Sequence, residues 1–384
     1  MKRFLALALA LSASVCCAHA QVVDTTVCDV LKSPKSFDGK IVRIKGTVVV
    51  GFDEFIIQGS DCHNDVNAIW LAYPQGTKAK AGPVATVVLQ PAKNFAGTLP
   101  AVSRAPVSLD KVKDFKTFDG LLSTPHNKGN AMCLGCNRYA VSATLVGRLD
   151  GVADAGIQRD KAGKIIGLGG FGNLNAYAAR LVLQSVSDVT SKEEDYSKAD
   201  AVAKGPMTTF SGSADLFDPV ETVQKFAASM SPSGAGGQIQ RAANSFPQRG
   251  NKNGVNLVFA NASEVNAKFE AQDPRQDSPD GVIYNCTISD RMQGDPLLRS
   301  IIHVGEHVAD IRTPMPGDTQ PNLFALEYNA WMITAITARA NRQASLALGG
   351  GYLIWNQSWP DADLTKNVDE ALTGFLNNEA QLVK

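Results

Sequence analysis

Two hydrophobic periodicities divide the chain, and the change between them falls near its middle. From Lys40 to Val50, the β-branched Ile41, Val42, Ile44, Val48 and Val50 are interleaved with Arg43 and Lys45, which predicts a half-buried strand. Glu54–Gln58, Ala68–Tyr73, Tyr139–Leu149 and Arg180–Val189 read as further strands, and Val27–Leu31 as a short helix ahead of the turn Ser36–Gly39. About five short strands suit a small barrel, which leaves no edge exposed. Residues 74–138 interrupt the series as an insertion rich in Gly, Pro and Lys, and a connection of that length should carry elements of its own. Its Lys116-Thr117-Phe118-Asp119-Gly120 echoes Lys35-Ser36-Phe37-Asp38-Gly39, but the neighbours do not follow, so we read a chance match of turn chemistry.

Residues 191–206 are polar, charged and alanine-rich and end in Gly205-Pro206, the pattern of a linker. Beyond it the periodicity is mixed. Pro219–Met230 predicts a helix capped by Asp218, with Pro219 in its first turn. Ser231–Gly254 reads as loop, Val255–Ala260 and Val282–Ile288 as strands, and Leu297–Ile311 as a helix. Leu323–Leu348 is apolar on most faces and predicts a central helix stopped by Gly349-Gly350-Gly351. Tyr352–Trp355 then predicts a strand, and Thr365–Leu382 an amphipathic helix. The expected fold class is therefore mixed: an all-β barrel over residues 21–190, with its insertion at 74–138, then a separate α+β domain over 207–384.

The first twenty residues change the picture of location. Lys2 and Arg3 precede an uncharged apolar run, Phe4–Val15, and Ala18-His19-Ala20 supplies the small residues read by a signal peptidase. The run is shorter than the roughly 20 residues needed to span a bilayer. We expect a signal peptide at 1–20 and a periplasmic or extracellular protein. Its removal takes away Lys2, Arg3, Cys16 and Cys17, which turns the balance of 37 basic and 37 acidic side chains slightly acidic. That charge gives no broad attraction to nucleic acid. At 44% hydrophobic and 19% charged, the composition excludes a disordered chain and a multi-span membrane protein. The most apolar stretch, Leu323–Ala340, carries Glu327, Asn329 and Arg339, which fits a buried helix better than a membrane span.

Cys28-Asp29-Val30-Leu31, then Phe37-Asp38-Gly39-Lys40 before a strand, then Cys62 ahead of Ile69-Trp70-Leu71 together resemble an OB-like module of uncharacterised exported bacterial proteins. Gly169-Gly170-Phe171-Gly172-Asn173-Leu174, with Tyr177 and the strand Leu181-Val182-Leu183, is similar to that module's last hairpin; related sequences often have His at the position of Asn173. The resemblance covers roughly the first half of the chain without the insertion. It implies a fold and an envelope setting, and no activity.

Four patterns carry candidate chemistry. Cys133-Leu134-Gly135-Cys136 has the spacing of a redox pair or half a metal site, and Asn137 stands where a haem ligand would be needed. It precedes a strand rather than opening a helix, and His63, His126, Cys28 and Cys62 could complete a zinc site only if the fold gathers them. In an oxidising compartment the plain reading is a structural disulfide, with a second between Cys28 and Cys62 and a buried free thiol at Cys286. His303-Val304-Gly305-Glu306-His307 fits H-x-x-E-H: two imidazoles one helical turn apart could bind zinc, with Glu306 as general base and Glu370 or Glu379 as a third ligand. Gly305 inside that helix costs about 1 kcal/mol relative to Ala and weighs against the motif. Gly167–Gly172 lacks the Gly-Lys-Ser/Thr ending of a phosphate loop and reads as a close-packed hairpin.

The expected function is that of an exported, non-enzymatic envelope protein that binds a ligand or partner without a cofactor. The barrel's hydrophobic rim and the Trp331, Trp355 and Trp359 region are the first places to look. The alternative is a zinc-dependent hydrolase using His303, Glu306 and His307. Thiol titration of the leader-processed, denatured and unreduced protein is expected to find one free thiol; finding five would refute both disulfides.

Overall fold

A computed structural model describes most of residues 21–374. Outside it lie 1–20, 195–217 and 375–384, together with shorter stretches, chiefly 60–61, 63–67, 97–108, 127–132, 266–275, 314–321, 342–344 and 357–365. The signal-peptide segment, most of the expected linker and Glu379 therefore fall outside the described residues. Among the described residues, no helix is long and apolar enough to cross a membrane.

The first half folds as the alternating pattern requires. β1 (Val23–Asp24) leads into α1 (Val27–Lys32), whose cap Thr26 accepts a hydrogen bond from the Asp29 amide. β2 (Ile41–Val50), β3 (Phe55–Gln58), β4 (Ala68–Ala72), β7 (Tyr139–Gly151) and β10 (Ala179–Glu193) form a sheet in the order β2-β3-β4-β10-β7, and β7 pairs back onto β2. The five strands thus close a barrel, consistent with an OB-like fold. All its pairs are antiparallel except β4 with β10. Val42, Ile44, Val48 and Val50 point inward with Leu145, Leu149, Leu181 and Leu183. Ser191–Glu193, read as the start of the linker, instead extend β10 against Tyr139–Val141.

The insertion does carry elements, and they serve both halves. β5 (Ala85–Pro91) runs antiparallel to β12 (Val282–Ile288), which lies parallel to β11 (Val255–Phe259). β6 (Cys133–Leu134) pairs with β13 (Ser345–Leu348), itself paired with β14 (Leu353–Asn356). α2 (Phe115–Leu122) turns the other way and buries Phe115, Phe118 and Leu122 in the barrel's core. The Lys116–Gly120 echo is accordingly helix rather than turn. Its Asp119 accepts the amide hydrogens of Lys80 and Ala81, whereas Asp38 accepts that of Gly151.

The hairpin β8 (Gly156–Arg159) and β9 (Ile165–Gly169) leads into a tight turn at Asn173–Asn175. Asn173 Oδ1 accepts from the Val87 amide at 2.8 Å. Asn175 accepts from the Leu89 amide at 2.9 Å and donates to the Leu89 carbonyl at 3.0 Å. Two side-chain amides thus satisfy the edge of β5 that β12 leaves open. Gly172, at φ 72° and against the Trp70 ring, has no room for a side chain.

Among the described residues of the second half, α3 (Pro219–Ala228), α4 (Gly234–Ala243), α5 (Gly294–Arg312) and α6 (Leu323–Ala340) pack on these small sheets. α4 lies in the segment expected to be loop. Its glycine-rich first turn is a poor helix former, and burial of Ile239, Ala242 and Ala243 overrides that propensity. α6 stops at Ala340 rather than Leu348, because Ser345–Leu348 is taken into pairing with β6 and β14. Residues 366 and 368–374 of the expected closing helix are helical.

One bridge joins Cys28 to Cys62, closing a loop with a sequence separation of 34. Cys136 is disulfide-bonded, the Cys133 side chain lies outside the described residues, and Cys286 is a buried free thiol. Gly305 is required by packing: a Cβ there would lie 2.3 Å from the Ala242 carbonyl oxygen of α4. Helix propensity alone predicts that Gly305→Ala stabilises the protein. The close approach predicts the opposite, a loss of about 1–3 kcal/mol from overpacking, measured by urea unfolding.

Candidate metal centre

Three separate regions bring polar groups to one point in the interior. α5 presents His303 and His307 one turn apart, and their Nε2 atoms lie 3.1 Å from each other. α6 supplies Glu327, with carboxylate oxygens 3.8 Å from His303 Nε2 and 3.6 Å from His307 Nε2. The turn between β2 and β3 supplies Asp53. One ligand atom from each of the four residues lies within 4.8 Å of the others. All four are buried, with 1% exposure at each histidine, 7% at Asp53 and 9% at Glu327.

The surroundings orient these groups. Thr334 Oγ1 donates its proton to the Ala330 carbonyl at 2.7 Å, so toward His303 Nδ1, 3.2 Å away, it acts as an acceptor. That assigns the His303 proton to Nδ1 and leaves the Nε2 lone pair facing the cluster. The ring is held edge-on by Phe52 and Trp331, with centroids at 4.8 and 4.6 Å. Asn173 Nδ2 divides its two hydrogens between Asp53 Oδ2 and Glu327 Oε1, each at 3.1 Å. Glu327 Oε2 and His307 Nδ1 are buried without a hydrogen-bond partner.

Burial dominates the electrostatics. It pushes the Asp53 carboxyl up to about 6 and, with Asp53 beside it, the neighbouring Glu54 up to about 8. Glu327 is raised well above the usual carboxyl range by burial, then by Asp53. His303 is lowered well below the ordinary imidazole value by burial and then by His307; burial lowers His307 to about 3. The imidazoles are therefore neutral, as metal ligands must be, and among the described residues no lysine or arginine is paired with Asp53 or Glu327. Two imidazole nitrogens and two carboxylate oxygens make a four-ligand set, and a divalent ion would cancel the charge of Asp53 and Glu327.

The H-x-x-E-H reading is thus realised in part. His303 and His307 share a site, but Glu306 leaves it. On the neighbouring face of α5, Glu306 pairs with Arg241 of α4, which also holds Asp310 at 2.7 Å. Three positions along a helix turn a side chain by only about 60° from its starting face, yet here that is enough to point Glu306 at another helix. Glu370 is also not a ligand: it is exposed and lies 3.9 Å from Lys366. Cys28 and Cys62 are consumed by their disulfide, so no zinc knuckle forms with them.

Asp53 and Glu327 are the participants that spacing could not reveal, and Asn173 entered only as the position where the resembled module often has His. The one local signal of the two acids is polarity inside apolar text: Asp53-Glu54 between Phe52 and Phe55, and Glu327 in the most apolar helix.

The linkage to folding follows from the raised carboxyls. In chelator-treated protein above about pH 6.5, where the unfolded imidazoles have also lost their protons, Glu54 keeps in the folded state a proton that the unfolded chain has released, so stability should fall as pH rises from about 6.5 to about 8. Zinc-saturated protein should lose much less over the same window. Denaturation midpoints across that range, with and without zinc, check this; identical curves would contradict it. The chain matches no protein-family model, no curated protein and no solved structure.

Proposed function

We propose that the protein binds a divalent transition metal, zinc foremost, through Asp53, His303, His307 and Glu327. In this reading the ion is structural: it ties the barrel turn carrying Asp53 to the two central helices of the second half. The protein is then an exported envelope protein that binds a ligand or partner and performs no catalysis on its metal. The observation that carries the reading is the convergence of four buried ligand atoms from three regions of the chain.

Two further observations favour a closed, structural ion over a hydrolytic one. All four ligand residues are buried, whereas a catalytic zinc keeps a position open to water or substrate. Glu306, the residue that the motif casts as general base, has an oxygen engaged by Arg241. The envelope setting rests on the leader pattern and is supported by the Cys28–Cys62 bridge, since such bridges persist in oxidising compartments.

Metal analysis of the purified full chain after zinc reconstitution should return one ion per chain. His303→Ala, His307→Ala and Glu327→Gln should each abolish stoichiometric uptake, while Glu306→Gln retains it. Zinc at a thousand times its dissociation constant should stabilise the wild type by about 4 kcal/mol. A wild type that takes up no zinc, or uptake indifferent to His307→Ala, would overturn the assignment. Uptake lost on Glu306→Gln would return that residue to the site.

A further inference from the structure

A cavity of about 370 Å³ opens between the barrel and the β5–β12 sheet, lined in part by Asn175 of the tight turn. Its volume lies in the range of small-molecule sites. Trp70 and Phe171 line it, as does Phe55. Trp70 is braced by Tyr177, ring centroids 5.2 Å apart, and by the close passage of Gly172. The walls are therefore rigid and aromatic, suited to a flat ring.

The polar features of the cavity are few and specific. Arg180 is its only charged lining residue among the described residues. Its guanidinium lies 4.8 Å over the Phe171 ring, and Nε and Nη2 both donate to Asp150 Oδ2. Arg148 donates to the same carboxylate and also faces Asp38, itself paired with Lys35, so Lys35, Arg148 and Arg180 against Asp38 and Asp150 leave one positive charge over. Elsewhere in the lining, Thr287 on β12 is the register partner of Thr86 on β5. Thr287 is 7% exposed and its Oγ1 has no hydrogen-bond partner. A buried hydroxyl without a partner costs free energy that a ligand's polar group would recover.

From the aromatic walls, the fixed excess cation and the unpartnered hydroxyl, we infer that this cavity binds a small aromatic organic anion. The ring lies against Trp70, the anionic group faces Arg180, and Thr287 bonds a polar atom of the ligand. The inference does not depend on the metal assignment, because the cavity lining includes none of the four ligand residues.

The test uses the full chain and two fluorescent probes: anilinonaphthalene sulfonate, an aromatic anion, and phenylnaphthylamine, its uncharged counterpart. The sulfonate should bind one saturable site per chain. Arg180→Gln should weaken it about ten-fold, the loss expected for a charge-assisted hydrogen bond, while the naphthylamine changes less than two-fold. Gln90→Trp, which adds bulk at the mouth from an exposed position, should abolish binding of both without unfolding the protein. Three results would overturn the inference: no saturable sulfonate binding, equal effects of Arg180→Gln on both probes, or binding of both probes unchanged by Gln90→Trp.

Discussion

The structure depends on strand β5 having both of its edges satisfied. A strand set in the barrel's insertion cannot leave its buried amides bare, since each unpaired group would cost about 1–3 kcal/mol. β12 takes one edge along its whole length. The other edge is met by Asn173 and Asn175, whose side chains imitate a neighbouring strand at Val87 and Leu89. From this follows the continuity of the main core, which combines Phe52, Val87 and Leu174 from the first half with Val282, Ile301 and Trp331 from the second. The two halves are welded by main-chain bonding as well as by apolar contact.

The same turn explains how the interior tolerates its charges. Asn173 has one acceptor and two donors, and each is used: the acceptor on β5, the donors on Asp53 and Glu327. Replacing it with an apolar residue of similar size would free a strand amide and two carboxylates together. Buried carboxylates beside neutral imidazoles form an unbalanced set, since an isolated ion in such surroundings loses several kcal/mol of solvation. Protonation relieves the imbalance below the raised carboxyl values, and the proposed cation would relieve it by taking the place of those protons. Glu306 shows the alternative solution, since it found an arginine on the next helix.

What was legible in the sequence follows the range of the interaction responsible. The barrel strands could be read because a period of two is local; Ile41–Val50 announces its buried face within ten residues. His303 and His307 could be paired because helical spacing is local too. Their partners could not be. Asp53 belongs to a two-residue acidic pair in a strand-connecting turn, which ordinarily faces solvent, and Glu327 is one polar residue in an apolar helix. Its polarity correctly argued for burial within protein, but the identity of its neighbours was set by the packing of α5 on α6. The misread segments share this cause. Gly234–Ala243 is helical through burial of Ile239, Ala242 and Ala243, and Ser345–Leu348 is extended through pairing with β6 and β14. In both, tertiary contacts outweigh weak local preferences.

These dependencies also order the events that can assemble the site. The buried residues of the barrel's core all come from residues 27–186. The cluster draws on both halves, because Asp53 waits for α5 and α6, and Asn173 can orient Asp53 only once β5 lies in its latch. Contacts of such large sequence separation are slow to form, since loop closure must precede any gain from them. Asp53 and Glu54 are both buried in the finished fold, at 7% and 6% exposure. Burial of those carboxylates is thus coupled to docking of the last helices. Any cation that binds the finished cluster acts on that docking step, holding the second half to the first without contributing to the stability of the barrel itself.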